Sequence, residues 1–337
     1  MPIFENFSEV LYWVIRIIEL ISLIPCCYLT LQFCKIMCKT RCFHFNLTII
    51  FVSLLGQWFE CFLARLLIIP YQEGWIAIKD TVVEDSTTGN VQVSLLFIPL
   101  LIGGFIRSHY ILSLSLFIPC VVIERIIASL FLRTYEKYPR VYVSTALLLM
   151  CHLLSVFLSY QTIQWKFSYF QIIVTFTIAL SSTITIFAFL YVYNSSVTRR
   201  LEMQHRRYGY HLGKRFQAKE NLKSLKMVRR ITIVGMCGFL SAALLISLVA
   251  SQLLPSYMHR ISLELSEIVL NLNPLFVIPP VASRIHLWKA KLIDSLPAII
   301  RTRFQCSSRS IRPMDYRARR TVVEESNTYW TQFSSTW

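Results

Sequence analysis

The sequence is short of charge, and of acid in particular. Of 337 residues 15% are charged, with 34 Lys or Arg and only 18 Asp or Glu. A soluble domain averages about 25% charged residues, so a surface this poor in charge would not stay dissolved. The two soluble domains that length alone suggests are therefore excluded. Four aspartates occur, Asp80, Asp85, Asp294 and Asp315, all outside the long apolar runs. That excludes an intramembrane aspartyl protease, whose chemistry needs two acids sharing a proton. No Gly-x-Ser-Gly turn offers a serine nucleophile. The histidines, including His205 and His211, lack the paired helical spacing of a zinc or di-iron site. No enzyme activity, metal or cofactor is expected. The chain is too long for a disulfide-built secreted scaffold, and its 14% aromatic content does not suit a disordered one.

What the chain has is apolar length: 55% of residues are hydrophobic and the mean hydropathy is +0.54. A bilayer core about 30 Å thick is crossed by roughly 20 apolar residues in a helix. Seven runs qualify, at about 10–34, 47–69, 95–132, 141–163, 168–193, 229–253 and 261–280. The third is interrupted by Arg107, Ser108 and His109; too long for one upright span and too short for two, it is predicted as one long tilted helix. The fold class expected is an all-α membrane protein, a seven-transmembrane helix bundle. The first nine residues, MPIFENFSE, lack a basic n-region, and the following run is too long for a cleavable signal, so the first span should be its own anchor.

Basic residues orient the bundle. With the N-terminus extracellular and the C-terminus cytoplasmic, 28 of the 34 Lys and Arg fall in cytosolic segments. Lys79, Lys166 and Arg260 stay outside, and Arg16, Arg65 and Arg107 lie within spans. Most of the formal charge of +16 then faces the anionic inner leaflet, so the lipid bilayer, and no nucleic acid, accounts for the high pI. Segments 1–9 (extracellular N-terminus), 10–283 (transmembrane domain), 284–300 and 301–337 follow. Pro279 and Pro280 should stop the seventh helix. Ile285, Trp288, Leu292 and Leu296 then mark an amphipathic helix on the inner membrane surface, and the Ser/Thr/Arg-rich tail reads as disordered.

The outer loops are short except for 70–92, which carries Glu73, Asp80, Glu84 and Asp85, so a large external protein ligand is not expected. The inner loop 194–228 should extend the fifth and sixth helices. None of the ten cysteines falls in an outer loop, so no external disulfide is expected. Cys34, Cys38, Cys42 and Cys306 are candidate palmitoylation positions, the simpler reading being reduced thiols. Zinc at the first three would need a fourth ligand, for which His44 is the one nearby candidate. Asn6-Phe7-Ser8 is a glycosylation sequon on the outer side, whereas those at Asn46 and Asn194 face the cytosol.

Ionisable groups inside spans are costly and point to function. Arg16, Arg65 and Arg107 share the expected outer half with Glu19, Glu60, Glu264 and Glu267, a belt that nearly neutralises itself. Arg16 and Glu19, three apart, can pair on one face. One reading is a structural ion network fixing helix register. The other is that Arg107, His109 and Glu60 line an outward-open cavity and bind a small-molecule ligand. At the inner end of the third helix, the Glu124 carboxylate can hold the Arg125 guanidinium in a closed state and release it to a partner. In the seventh, Pro274 weakens the helix and makes a kink at which the inner segment can swing, with Asn271 and Asn273 holding freed carbonyls.

ARLLIIPYQEGW (Ala64–Trp75), ERIIASLFLRTYEKYPR (Glu124–Arg140) and the Asn273-Pro274 element resemble nematode serpentine chemoreceptors of class epsilon (Sre) over about residues 10 to 290. The resemblance implies chemosensory signalling through a heterotrimeric G protein at the plasma membrane of sensory neurons, in the cilium, and supplies no ligand pocket. Read from the residues themselves, Glu124, Arg125, Asn273 and Pro274 are the candidate coupling and activation switch, and together they suggest a bundle with two arrangements. Glu124-Arg125-Ile126 and Asn273-Pro274-Leu275-Phe276-Val277 depart from the general receptor pattern. So do the absence of a proline or tryptophan within the sixth span and of an external cysteine pair. The competing function is a transporter or channel for a small solute, against which stand an odd span number and no inverted repeat.

Overall fold

The computed structural model of the chain describes residues 2–40, 42–77, 82–84, 91–93, 95–131, 141–164, 169–205 and 212–297. Six long helices come first: α1 (Pro2–Lys39), α2 (Phe45–Gln72), α3 (Ile98–Leu130), α4 (Val141–Ile163), α5 (Tyr169–His205) and α6 (Leu212–Ala250). Three shorter ones follow, α7 (Ser256–Asn271), α8 (Asn273–Ala282) and α9 (His286–Ser295). Seven segments are long and apolar enough to cross a membrane, the last built from α7 and α8 together. The all-α bundle is as expected. The departure is a small ribbon between α2 and α3, where β1 (Val82–Glu84) and β2 (Val91–Val93) pair antiparallel with Val82 opposite Val93.

Helix is the form a single apolar segment can take in lipid, because it satisfies its own backbone hydrogen bonds. The side chains are arranged accordingly. On α4, Leu149, Met150 and Phe157 point outward, while Ser144, Cys151, Ser155 and Ser159 form the buried stripe at spacings of seven, four and four. Small residues on that stripe let α4 approach its neighbours closely, which is how helices associate where lipid removes the hydrophobic drive. Gly103 does the same between α3 and α2: a Cβ there would lie 2.9 Å from Ile68 Cγ1 and 3.1 Å from Leu67 Cβ.

The third span is one helix, opened by a 3-10 turn at Leu95–Phe97. α5 and α6 run well past the apolar runs, as expected of the 194–228 segment. One detail is added and two expectations need correction. α1 begins at Pro2, so residues 2–9, Asn6 included, are helical, a conformation the sequence reading did not assign. Pro279 and Pro280 lie within α8, which ends two residues later with Ser283 donating to the Pro279 carbonyl at 2.9 Å. Neither proline has an amide hydrogen to continue the ladder, and the helix ends within two residues of the pair. Trp288, expected on a membrane surface, is buried. Its indole N–H donates to Thr40 Oγ1 at 2.6 Å, and Phe33 and Phe43 meet its ring edge-on at 5.3 and 5.4 Å. A buried indole needs such a partner for its N–H.

Residues 1–288 form one compact unit and 289–337 a second. In the second, the described part is the remainder of α9 and residues 296–297; Cys306 and the tail segment 301–337 lie outside the described residues.

Candidate functional site

At the end of the bundle where α1 begins, buried charges from five places meet. Arg16 on α1 pairs with Glu19 at 2.8 Å, Glu73 at 2.7 Å and Glu264 on α7 at 2.5 Å. Arg65 on α2 grips both oxygens of Glu19 through Nε and Nη2, at 2.8 and 2.9 Å, and donates to Glu264 at 3.0 Å. Arg107 on α3 pairs with Glu267. Glu73, the residue that caps α2, also accepts a hydrogen bond from the Tyr12 hydroxyl at 2.5 Å and meets Arg260 at 3.3 Å. The Arg260 guanidinium stands 3.8 Å above the Tyr12 ring.

Four guanidinium groups and four carboxylates thus balance among the described residues. Arg16, Arg65, Arg107, Glu19, Glu264 and Glu267 of the belt read from the sequence meet here, with one acid exchanged and one cation added. Glu60 is not in the network; Glu73 and Arg260 are, because the segment after α2 folds its carboxylate back onto Arg16. Glu73 is only 1% exposed in its side chain. A carboxylate that dry is tolerated only with cations and hydrogen-bond donors around it. No periodicity within an apolar span could have shown this, since the residue lies beyond one.

The three residues read as ligand contacts are divided. Glu60 accepts from His109 at 2.6 Å, while Arg107 turns to Glu267. The His109 ring lies parallel to that of His152 on α4, with centroids 5.4 Å apart, and Gln57 reaches His152 at 3.3 Å. This second polar cluster ties α2, α3 and α4 together.

The seventh span breaks at Leu272. Pro274 has no amide hydrogen, and the Leu275 amide donates to the Leu272 carbonyl at 2.9 Å in place of the Asn271 carbonyl. The Asn271 carbonyl so released accepts from the Trp58 indole at 2.8 Å. The expectation that asparagine side chains hold the freed carbonyls is corrected here. Asn271 instead donates to Glu19 at 2.5 Å and accepts from the Cys61 thiol at 2.8 Å, so its side chain is engaged with the ionic network. Beside the break lies a cavity of about 120 Å³, with Trp58, Tyr110, Phe239, Val269, Asn273 and Pro274 among its walls. Glu60, Arg107 and His109 are not among them.

Near the other end of α3, Arg125 forks onto Glu124, donating from Nε and, at 2.6 Å, from Nη2. Neighbouring side chains on a helix ordinarily diverge; burial of both leaves this fold-back as a local partner for each charge. Arg125 Nη1 donates to Asn221 on α6 at 2.9 Å. Asn221 also donates to Ser129 Oγ at 3.2 Å, and Asn194 on α5 does so at 3.1 Å. Thr198 donates to the Asn194 carbonyl at 2.8 Å and reaches the Ala218 carbonyl of α6 at 3.4 Å. One polar cluster therefore laces α3, α5 and α6. Asn221, Asn194 and Ser129 were not singled out as partners of Arg125; the signal was there in asparagines placed in helices that are otherwise apolar or basic. Burial also withdraws the Asn194 and Asn46 sequons from modification. The nine described cysteines are free thiols.

A family model described as Sre G protein-coupled chemoreceptor matches residues 1–337. Serpentine receptor class epsilon-38 of Caenorhabditis elegans is 31% identical over 317 residues, covering 89% of this chain and 85% of its own length. Serpentine receptor class epsilon-27 of the same organism is 27% identical over 357 residues, covering 100% of this chain and 95% of its own. Class epsilon-45 is 28% identical over 346 residues, with 98% and 90% covered. The resemblance read from Ala64–Trp75 and Glu124–Arg140 is borne out, and residues 132–140 of that second block lie outside the described residues. A seven-span bundle with buried polar clusters toward both ends, matched over its whole length, places the chain in the Sre family of G protein-coupled chemoreceptors.

Proposed function

We propose that this receptor takes a small, largely apolar molecule from the extracellular side and signals to a heterotrimeric G protein on the cytosolic side of the plasma membrane, in the cilium of a sensory neuron. The N-terminus is outside, with the ionic network in the outer half, and the Arg125 cluster is at the inner end. One observation carries the reading: the 120 Å³ cavity abuts Asn273 and Pro274, where the seventh span is broken. An apolar cavity near 150 Å³ holds a molecule of about the size of benzene. A guest there touches the element free to swing as well as α2, α3 and α6, so it binds one arrangement of the bundle better than the other and shifts the population toward it. Separation of α6 from α3 then takes Asn221 from Arg125, and Arg125 with the basic segment between α5 and α6 meets Gα.

In this reading Arg107 fastens α3 to α7 through Glu267, and the Glu60–His109 pair offers a hydrogen-bonding contact on the path from outside. Arg125→Ala should reach the cell surface yet lose ligand-stimulated nucleotide exchange on Gα. Unchanged exchange would remove Arg125 from the mechanism, and ligand-dependent solute flux in vesicles without G protein would replace the receptor by a transporter.

A further inference from the structure

A second cavity, of about 570 Å³, lies at the Arg125 end between α5, α6 and the α8–α9 junction. Its wall carries six cations, Arg199, Lys219, Lys223, Lys226, Arg230 and Arg284, against one carboxylate, Glu202. Four of the six stand on α6 at spacings of four, three and four, which puts them on one helix face. Glu202 lies 3.6 Å from Lys219 and so offsets one of them. The Lys223 ammonium is held 5.6 Å above the Phe43 ring, which fixes its position at the rim. The hydroxyl-bearing residues Ser195 and Thr198 share the wall, and Met227, Val281 and Ile285 supply an apolar side.

This is the reverse of the other end, where four guanidinium groups meet four carboxylates. Cations gathered in one concavity repel one another, and a guest with several negative charges relieves that repulsion. Phosphate groups fit best: they present many acceptor oxygens to Lys and Arg, and Arg binds them two oxygens at a time. The volume is within the range of small-molecule sites, about 300–1,000 Å³. The apolar side, next to the lipid-crossing part of α8, suits a headgroup that stays attached to its acyl chains.

We infer that this cavity binds the polyphosphorylated inositol headgroup of a membrane lipid. The inference rests on the proposed topology only in making that lipid an inner-leaflet one, where anionic lipids concentrate.

The test uses the purified full-length receptor in detergent micelles, with phosphatidylinositol 4,5-bisphosphate, phosphatidylinositol and phosphatidylcholine as lipid probes and soluble inositol trisphosphate as the free headgroup. Binding is read by native mass spectrometry. The bisphosphate should bind at least tenfold more tightly than phosphatidylinositol. Lys223→Gln/Lys226→Gln/Arg230→Gln should weaken it at least tenfold, whereas Lys35→Gln/Lys39→Gln/Arg200→Gln, equal in charge removed but outside the cavity, should change it less than threefold. Thermal unfolding of each variant identifies a folding defect, in which case single Lys226→Gln is read instead and should weaken binding at least twofold. Equal weakening by both triple variants, or no preference over phosphatidylinositol, would overturn the site. Equal affinity for inositol trisphosphate would overturn the lipid as its occupant. Loss of Gα coupling with lipid binding intact would make the cavity a protein-docking surface and also overturn the proposal. Micelles offer lipid to every face, so a wrong topology leaves this result unaffected.

Discussion

Asn221→Ala is expected to raise signalling with no ligand added. The side chain makes three hydrogen bonds from α6: it accepts from Arg125 at 2.9 Å, donates to Ser129 at 3.2 Å and donates to Asn194 at 3.4 Å. A bond to a charged group is worth about 1.5–3 kcal/mol, and a neutral bond between membrane helices averages about 0.6 kcal/mol. The weaker of the two neutral bonds is long, so the closed arrangement should lose about 2–3 kcal/mol relative to the open one. At about 1.4 kcal/mol per tenfold, that is roughly a 30- to 140-fold shift in their ratio. An open state populated at about 0.1%, the lower end of the usual range for a minor conformer, would rise to roughly 3–12%. Basal nucleotide exchange on a coupled Gα, normalised to surface receptor, measures the shift. Asn221→Asp, which keeps the acceptor for Arg125, should raise it less. Basal exchange at or below the parent level in Asn221→Ala, with normal surface delivery, would refute the idea that this contact holds the closed state.

Three further outcomes follow from the packing. Arg65 is 1% exposed and pairs with Glu19 and Glu264; Arg65→Ala leaves those acids short of a cation, and breaking a buried pair costs about 3–5 kcal/mol. Surface expression should fall sharply, and Arg65→Lys should restore little of it because an ammonium cannot grip both oxygens of Glu19 as the guanidinium fork does. Arg107 is 29% exposed, so Arg107→Ala should lower expression less than Arg65→Ala; an equal collapse would show that exposure does not soften the loss of an α3–α7 ion pair. Gly103→Ala should lower the thermal unfolding midpoint, since overpacking of a tight contact costs about 1–3 kcal/mol, and an unchanged midpoint would mean that α2 gives way at Ile68.

The long-range frame was legible in the sequence because lipid enforces simple rules. Apolar run length gave the seven spans, and the Arg107–His109 interruption did not mislead, since a helix tolerates polar residues that find partners inside the bundle. Arg16 with Glu19 and Glu124 with Arg125 were readable as pairs because both partners sit on one helix. Contacts between helices were not. Whether Glu60 faces Arg107 or His109 depends on the rotation of α2, which its hydrophobic pattern leaves open when both lipid and core are apolar. Trp58 on the Asn271 carbonyl and Asn221 on Arg125 are separated by 213 and 96 residues respectively, and no local spacing encodes such a meeting. Glu73 reads in the sequence as an outer-loop acid, because it lies beyond a span, where acids are ordinary.

In the proposed receptor the two polar clusters face opposite sides of the membrane, the ionic network outward and the Arg125 cluster toward Gα. Epitopes at the two termini, probed with antibody on intact and then permeabilised cells, address this directly. The N-terminal epitope should label on intact cells and the C-terminal one only after permeabilisation. Labelling of both ends on intact cells, or of the C-terminal epitope alone, would contradict it.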